Sequence, residues 1–415
     1  MYLCALSALL ISSACTKDTC TQTVTHKKWV PVYKTVDEMR EPATVGPPRN
    51  LKNPGRIFVS GNYLLINERH EGVHIVDNTN PANPTPIAFV DVPGNTDMAV
   101  KDHLLFLDSY FDIISVDITN PTAPIIAGRS KDAFPSNKYP YNSEKNAFVV
   151  DYEEKIVTET FDCTTDGRGI PIFADYHHDV VFTPRHTNSG SITSAPSINI
   201  AGSMASMLVV GDYLYCIHNK DIWIFSAETT PTKQRELTVG WGIETLFPYG
   251  DKLFIGSRTG MYIYDNADPL NPVKLSQFMH YRACDPVFVK DDIAYITLRD
   301  GTMCQNADNQ LHVVDVRDLT NPKLMKRYPM FHPHGLAVDD QYLYLCDGAA
   351  GLKVFGIKDL YAITNLLKKH FPQIDAYDVI RLPHRALLIL IGKDGLYQFD
   401  LNDDIDLISK IPISD

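Results

Sequence analysis

The chain lacks clustered positive charge. It has 38 Lys and Arg residues against 50 Asp and Glu residues, which gives a formal net charge of −12 at pH 7. Its basic runs are no longer than pairs such as Lys27-Lys28 and Lys368-Lys369. A protein that follows a phosphate backbone needs clustered Lys and Arg side chains to displace counterions. The composition therefore excludes nucleic acid as the expected partner.

Long hydrophobic runs are missing as well. Residues 2–14 are almost all apolar or small, but a membrane-spanning helix needs about 20 apolar residues. This short run is typical of a secretory signal peptide, and the small residues before Cys15 resemble a lipobox. We predict a lipoprotein signal peptide at 1–14, and a lipidated Cys15 with a tether or belt at 15–50. A plain signal peptide cleaved nearby is the alternative. The lipid would be the only membrane anchor, and we expect the outer membrane, with the periplasmic or cell-surface side left open.

Motifs for metal binding and catalysis are also lacking. The chain has no Cys-x-x-Cys pair, no zinc-type Cys/His spacing and no Gly-x-Ser-x-Gly elbow. The densest set of possible metal ligands, 175–179, contains two adjacent His residues, which would point to opposite faces of a strand. We predict no catalytic residues, no resident metal and no cofactor. A hydrolase or lyase remains the catalytic alternative.

What the chain does have is a repeat. Seven short aromatic-aliphatic runs each come before a turn and a second run, at 63–66, 104–107, 213–216, 252–255, 293–296, 342–345 and 386–389. Their starts are separated by 41, 109, 39, 41, 49 and 44 residues. A period near 40 with four strands per unit is typical of propeller blades. We predict an all-β, seven-bladed β-propeller over 51–415, built from four-stranded repeats, with one long loop insertion at 131–205.

The turns of the repeat have their own chemistry. The third strand of several units ends on Asp, as at Asp77, Asp117 and Asp315, and an Asn-Pro pair follows. Asp and Asn side chains bond to backbone groups two residues on, and Pro cannot donate to a strand ladder. These residues are therefore expected to end the third strand and reverse the chain.

The same residues carry a family resemblance. Val-His-Ile-Val-Asp at 73–77 and Leu-His-Val-Val-Asp at 311–315, with the trailing Asn-Pro pairs, are similar to the LVIVD repeat family of predicted propeller lipoproteins, common in Bacteroidetes-type bacteria. Further stretches that resemble this family lie at 51–55, 93–100, 243–249, 284–287, 333–336 and 392–397. The resemblance covers roughly 15–415. It implies a propeller and an envelope location, and little about activity.

One face of the predicted propeller collects the polar candidates. The loop into the innermost strand and the loop between the second and third strands emerge on one side of each blade, which we call the upper face. The candidate binding residues on this face are Asp97, Glu244, Arg258, Asp285, Asp300, His334, Asp347, Asp378 and Asp394. They would either form a polar or cation site at the channel mouth or cap turns and strand-end amides, and we favour capping.

The cysteines are consistent with an exported protein. If Cys4 is removed and Cys15 acylated, six cysteines remain, which allow fifteen pairings. Cys284 and Cys304 bracket the first two strands of unit five and open on the upper face, so we predict a disulfide between them. Free buried thiols are the alternative.

The function expected from these observations is non-catalytic binding. We predict a lipid-anchored propeller that binds or scaffolds other envelope proteins, possible partners including an outer-membrane β-barrel complex. A propeller that binds glycans or small ligands is the alternative. We expect recognition on the upper face, because variable loops lie there, and we expect the insertion at 131–205 to be removable without loss of the fold.

Overall fold

The computed structural model describes residues 21–135, 138–162, 199–279, 286–300 and 308–414. Before the repeats, the chain forms three short or edge elements, β1 (Thr21–Lys34), α1 (Val36–Met39) and β2 (Thr44–Gly46). In the part of the chain covered by these ranges, no helix has the length and apolar character needed to cross a membrane.

Seven antiparallel sheets share one plan, in which four strands follow each other in chain order. Sheet one has β3 (Pro54–Ser60), β4 (Tyr63–Glu68), β5 (Gly72–Asp77) and β6 (Thr85–Asp91). Sheet two has β7 (Met98–Lys101), β8 (Leu104–Ser109), β9 (Asp112–Asp117) and β10 (Ile125–Ser130). Three strands then precede sheet three, β11 (Tyr141–Asn142), β12 (Ala147–Asp162) and β13 (Asn199–Ala201).

The remaining five sheets repeat the plan. Sheet three has β14 (Met207–Val210), β15 (Tyr213–His218), β16 (Asp221–Ser226) and β17 (Lys233–Thr238). Sheet four has β18 (Ile243–Tyr249), β19 (Lys252–Ser257), β20 (Gly260–Asp265) and β21 (Val273–Met279). Sheet five has β22 (Val287–Lys290), β23 (Ile293–Leu298), β24 (Gln310–Asp315) and β25 (Lys323–Pro329). Sheet six has β26 (Leu336–Val338), β27 (Tyr342–Cys346), β28 (Leu352–Gly356) and β29 (Leu367–Phe371), with a 3₁₀ turn at Ile363–Leu366. Sheet seven has β30 (Ala376–Leu382), β31 (Leu387–Gly392), β32 (Gly395–Asp400) and β33 (Asp406–Pro412).

The sheets close into a ring because each packs an apolar face on both of its neighbours. Sheet one joins sheet two through a cluster that includes Leu65 and Leu107, and joins sheet seven through one that includes Leu64 and Ile389. Five further clusters join the successive pairs between sheet two and sheet seven. From sheet one to sheet seven, the first strands of successive sheets contact each other around a central channel, and β31 of sheet seven contacts β3 of sheet one. The predicted all-β propeller is confirmed.

The Asp residues at the ends of the third strands bond to the backbone of the following turns, as the sequence predicted. The Asp77 carboxylate accepts a hydrogen bond from the Thr79 N–H at 2.9 Å, and Asp117 accepts one from the Thr119 N–H at 2.8 Å. In all seven sheets the pairing between third and fourth strands contains a register shift of the bulge type. A bulge increases local twist, which suits strands at the periphery of a blade.

Two segments differ from the loops that the sequence suggested. Where a tether was expected, β1 is a 14-residue strand paired along its whole length with β12, which lies in the expected loop insertion at 131–205. These two strands form what we call the ribbon. It begins on the upper face over a buried cluster that includes Tyr110, Phe111 and Tyr139. The predicted boundaries at 14/15 lie outside the described residues.

Candidate functional site

Residues 199–205, which we call the plug, occupy the central channel. β13 pairs antiparallel with β3, so that Asn199 lies opposite Ser60 at the end of β3 away from the upper face. The plug then runs toward the upper face, where the Leu246 N–H donates to the Ala205 carbonyl at 3.2 Å. The last part of the predicted insertion is therefore an interior element of the propeller rather than a surface loop.

Asp97, a predicted upper-face residue, is buried and holds the end of the plug. Its carboxylate accepts hydrogen bonds from the Ser206 N–H at 2.7 Å, the Ser206 hydroxyl at 2.9 Å and the Met207 N–H at 2.7 Å. It also forms an ion pair with Arg56 of β3, whose side chain is equally buried. A buried carboxylate with this many donors ties together sheets one, two and three.

Asp378 occupies the corresponding position in sheet seven and holds the plug from the other side. Its Oδ1 accepts hydrogen bonds from the Ser203 N–H at 2.8 Å and from the Val379 N–H at 2.9 Å. Its Oδ2 is buried and has no hydrogen-bond partner among the described residues. Burial raises the pKa of Asp378 to about 7, because the charged form loses its hydration.

Four other predicted residues are satisfied by neighbouring backbone and side-chain groups. The Arg258 Nε donates to Glu244 at 2.7 Å. Asp347 is fully buried and accepts hydrogen bonds from the His332 N–H at 2.9 Å, from the Phe331 N–H and from Lys353. Asp394 accepts from the Tyr397 hydroxyl and from Lys410, each at 2.6 Å.

His334 and Asp300 belong to one chain of hydrogen bonds at the channel mouth. Arg299 bonds to Nδ1 of His334, and His334 Nε2 lies 3.0 Å from Nδ1 of His332. His332 Nε2 lies 3.1 Å from the Asp300 carbonyl. Because arginine can only donate, each imidazole accepts at Nδ1 and donates from Nε2. Burial, together with the nearby Arg299, His332 and Arg69, holds the pKa of His334 well below its ordinary value, so this imidazole is neutral at pH 7.

Asp285, the proposed Cys284–Cys304 disulfide and the lipidation position Cys15 all lie outside the described residues. Cys216 and Cys346 are buried free thiols, and burial raises the pKa of both.

Those of the predicted carboxylates that the structure describes thus serve mainly as acceptors for backbone amides and for basic side chains. Within the described ranges, no three His, Cys, Asp or Glu side chains are grouped in a way that would hold a metal ion. Sequence reasoning missed Arg56, Arg299, His332 and Ser203. Arg and Ser carry no local signature of their partners, because those partners lie on other blades.

A cavity of about 330 Å³ fills the part of the channel that the plug leaves open. Ile200 and Ser203 of the plug form one wall, and aromatic side chains that include Phe247 and Phe288 form another. Its mouth lies among first-strand ends and turns such as Lys290, on the face opposite the upper face. On this opposite side, which we call the lower face, the channel mouth is therefore the opening of a formed cavity.

The ribbon presents one fully exposed side. Trp29 is 53 % exposed and Ile156 is 74 % exposed, and the register places both on the same side as Lys27 and Glu154, which pair at 2.7 Å. Farther out, the Thr25 and Thr158 hydroxyls lie 3.0 Å apart across the strands. Large apolar side chains on a charged and hydroxylated strand surface are common at protein interfaces.

Comparison with known proteins supports the repeat and the fold. The model of the LVIVD repeat matches residues 53–92, 107–132 and 283–329, which lie in sheets one, two and five. No curated protein matches the sequence.

Among solved structures, a protein from Lactobacillus plantarum superposes with a TM-score of 0.52 at 14 % identity, over 87 % of this chain and 96 % of that chain. The computationally designed Ika8 protein gives 0.48 at 10 % identity, over 88 % of this chain and 90 % of that one. BamB from Moraxella catarrhalis gives 0.46 at 8 % identity, over 81 % of each chain. At such identities the first similarity concerns the fold alone.

Proposed function

Because the chain belongs to the LVIVD repeat family and folds as a propeller, we propose that it is a non-catalytic protein of the cell envelope that binds other proteins. A rigid ring that carries variable loops and an arm on one side is a common scaffold for protein recognition. The proposed location is the outer membrane, through a lipid on Cys15, whose preceding small residues resemble a lipobox. The proposed partners are other envelope proteins, including outer-membrane β-barrel complexes.

The observation that carries the proposal is the exposed side of the ribbon. A two-stranded ribbon of this length is only marginally stable alone in water, yet this one exposes Trp29 and Ile156. Among the described elements, it is anchored only at its base, by α1, β11 and the buried cluster around Tyr110. A partner that covers the ribbon would bury this apolar surface and stabilise the arm.

Affinity capture from detergent-solubilised envelopes tests the proposal. We expect the wild-type chain to retain specific proteins, and the double variant Trp29→Ala/Ile156→Ser to retain at least tenfold less of them. Tyr361→Ala is the matched control, because Tyr361 is 61 % exposed in the connection that follows β28 on the lower face. Recovery of the chain alone in gentle detergent would refute the proposal.

The proposed anchor has a separate test. Metabolic labelling with a clickable fatty acid should mark the wild-type chain in its native host, and Cys15→Ser should abolish the label and release the protein from the membrane fraction. If the wild-type chain is not labelled, the proposed lipid anchor is refuted, whereas the proposal that the chain binds other proteins still stands.

One observation favours the alternative of a small ligand. The lower-face cavity has both aromatic and charged walls, and ligand sites are commonly concave with a few polar groups. A thermal-shift screen with glycans and small metabolites tests this alternative. Stabilisation that is lost on narrowing the cavity with Val338→Phe would support it, and a uniformly unchanged melting temperature would exclude it.

A further inference from the structure

A second cavity, of about 370 Å³, lies on the upper face where the ribbon begins. The ribbon contributes Val32, Val150 and Asp151, and sheets one and two contribute loop residues that include His70 and Tyr110. It is therefore formed by three parts of the chain that are far apart in sequence. Clefts at such junctions are frequent binding sites.

Tyr110 is the central group of this cavity. Its side chain is 5 % exposed, and its ring is held between Gly94 and the Tyr139 ring, whose centroid is 5.8 Å away. Among the described residues, its hydroxyl has no hydrogen-bond partner, although Asp151 and Glu41 lie close enough to add to the effect of burial and of Tyr139 in raising its pKa. This hydroxyl belongs to the wall of an open cavity whose lining also carries the Asp151 and Glu41 carboxylates.

The cavity is strongly acidic. Its lining carries five carboxylates against one lysine, namely Glu41, Glu71, Asp91, Asp151, Glu153 and Lys34. Arg49 pairs with Asp91 at 2.7 Å, and Lys155 pairs with Glu153 at 3.0 Å. Burial lowers the pKa of His70, so this imidazole, 3.9 Å from the Asp151 carboxylate, is uncharged at pH 7. Arg49 also lies 3.9 Å from Glu71, and Lys138 donates to the Tyr110 carbonyl at 2.8 Å. Among the described residues, Glu41 and Asp151 are therefore the two lining carboxylates that pair with no Lys or Arg side chain.

The backbone at this cavity adopts an uncommon conformation. His70 has φ 64° and Tyr110 has φ 53°, whereas the corresponding loop of sheet three has Asn219 at φ 56°. Asn tolerates the left-handed region, and a bulky aromatic residue there carries a steric cost. The fold thus holds a tyrosine in a turn position that favours Asn or Gly, with its ring directed to the cavity.

We propose that this cavity binds the side-chain cation of a lysine or arginine that a protein partner presents. The Tyr110 hydroxyl oxygen would accept a hydrogen bond from the cation, and the Asp151 and Glu41 carboxylates would accept further hydrogen bonds and balance its charge. A divalent metal fits less well, since no three-ligand group occurs among the described residues. The nature of the partner rests on the proposed function, whereas the cation site itself does not.

Titration of the purified chain with model compounds tests the site without any partner. The probes are N-acetyl-lysine N-methylamide, N-acetyl-arginine N-methylamide and the neutral N-acetyl-norleucine N-methylamide, followed by NMR. For ligands of about 14 non-hydrogen atoms, a dissociation constant on the order of 1 mM is expected. The norleucine compound should show no saturable binding.

Two conservative variants locate the binding. Asp151→Asn keeps the hydrogen bond that Oδ1 accepts from the Tyr152 N–H, and Tyr110→Phe removes only the hydroxyl, so both should fold. Each should weaken binding of a cationic probe at least fivefold. Asp117→Asn is the matched control, because Asp117 is a carboxylate in a turn of sheet two, the sheet whose loop carries Tyr110. This variant should leave the affinity for the probe unchanged.

The outcomes separate the two proposals. Equal binding of the norleucine compound, unchanged affinity in Asp151→Asn, or tighter binding of Ca²⁺ or Mg²⁺ at the same residues would overturn the cation site. Probe binding with no captured partner would keep the site and refute the proposed function. A captured partner without probe binding would refute the cation site and keep the proposed function.

Discussion

Replacing Asp378 with Asn should make the protein more stable at neutral and alkaline pH. The Asp378 carboxyl is buried against the plug, with one oxygen bonded to the Ser203 and Val379 amides and the other without a hydrogen-bond partner among the described residues. Burial raises its pKa from 3.8 to about 7. In Asp378→Asn the side-chain oxygen can keep both hydrogen bonds, and the residue never has to carry a buried charge.

The sign follows from proton binding. Between pH 4 and pH 7 the folded wild type holds a proton on Asp378 that the unfolded chain has lost, so the wild-type stability falls as the pH rises through this window. At 1.36 kcal/mol per pKa unit, this penalty approaches about 4 kcal/mol above pH 7. The variant lacks the penalty, so its advantage should be near zero at pH 4 and grow to an upper limit of that size at pH 8.

Urea unfolding followed by circular dichroism at half-unit steps from pH 4 to pH 8.5 measures the effect. Subtracting the wild-type free energy of unfolding from that of the variant removes the contributions of the other titrating groups, including the neutral His334. A difference that stays constant with pH would refute the reasoning, because it would mean that Asp378 is ionised in the folded protein throughout the range.

Three further results are expected. Asp97→Asn should lower the free energy of unfolding by about 3 kcal/mol, because Arg56 would lose its buried counter-charge; a loss below 1 kcal/mol would contradict this. Deleting 131–205 should abolish cooperative thermal unfolding, because the plug is removed together with the ribbon strand β12. A cooperative melt of the deletion protein would instead support the expectation from the sequence that this insertion can be removed without loss of the fold. Gly202→Ala should cost about 1–3 kcal/mol in urea unfolding, because the new methyl group would overlap a buried carboxyl oxygen. Gly46→Ala, which meets no atom within 4 Å, should cost much less, and equal losses would show that the overlap is relieved.

The propeller was predictable because its signals are local and repeated. Each unit contains its own turn chemistry, and the hydrogen bonds from Thr79 and Thr119 to the preceding Asp residues join positions only two apart. A pattern that recurs seven times in a chain can be recognised even where single units deviate.

The plug and the ribbon were not predictable for the opposite reason. β13 has three residues and pairs with β3 some 140 positions away, and β1 pairs with β12 over a similar distance. The outer part of β12 reads Glu-Glu-Lys-Ile-Val-Thr-Glu-Thr, without an apolar face that would mark a strand. For the same reason, the sequence identified the positions of Asp97 and Asp378 but not their partner, which is the backbone of the plug.

The plug also constrains the order in which the protein can fold. β3 is made early in synthesis, but its inner edge is completed only when residues 199–201 arrive, and the ring closes only when Ser414 bonds to the carbonyl of Leu51 at 2.9 Å. Contacts between such distant positions form slowly, because closing the long loop between them costs conformational entropy before the contacts contribute any stability. Because the plug bonds both to β3 and to Asp378 of sheet seven, we expect it to be in place when the last sheet docks. Once closed, the ring should release it only through extensive unfolding, so slow assembly is coupled to a long-lived native state.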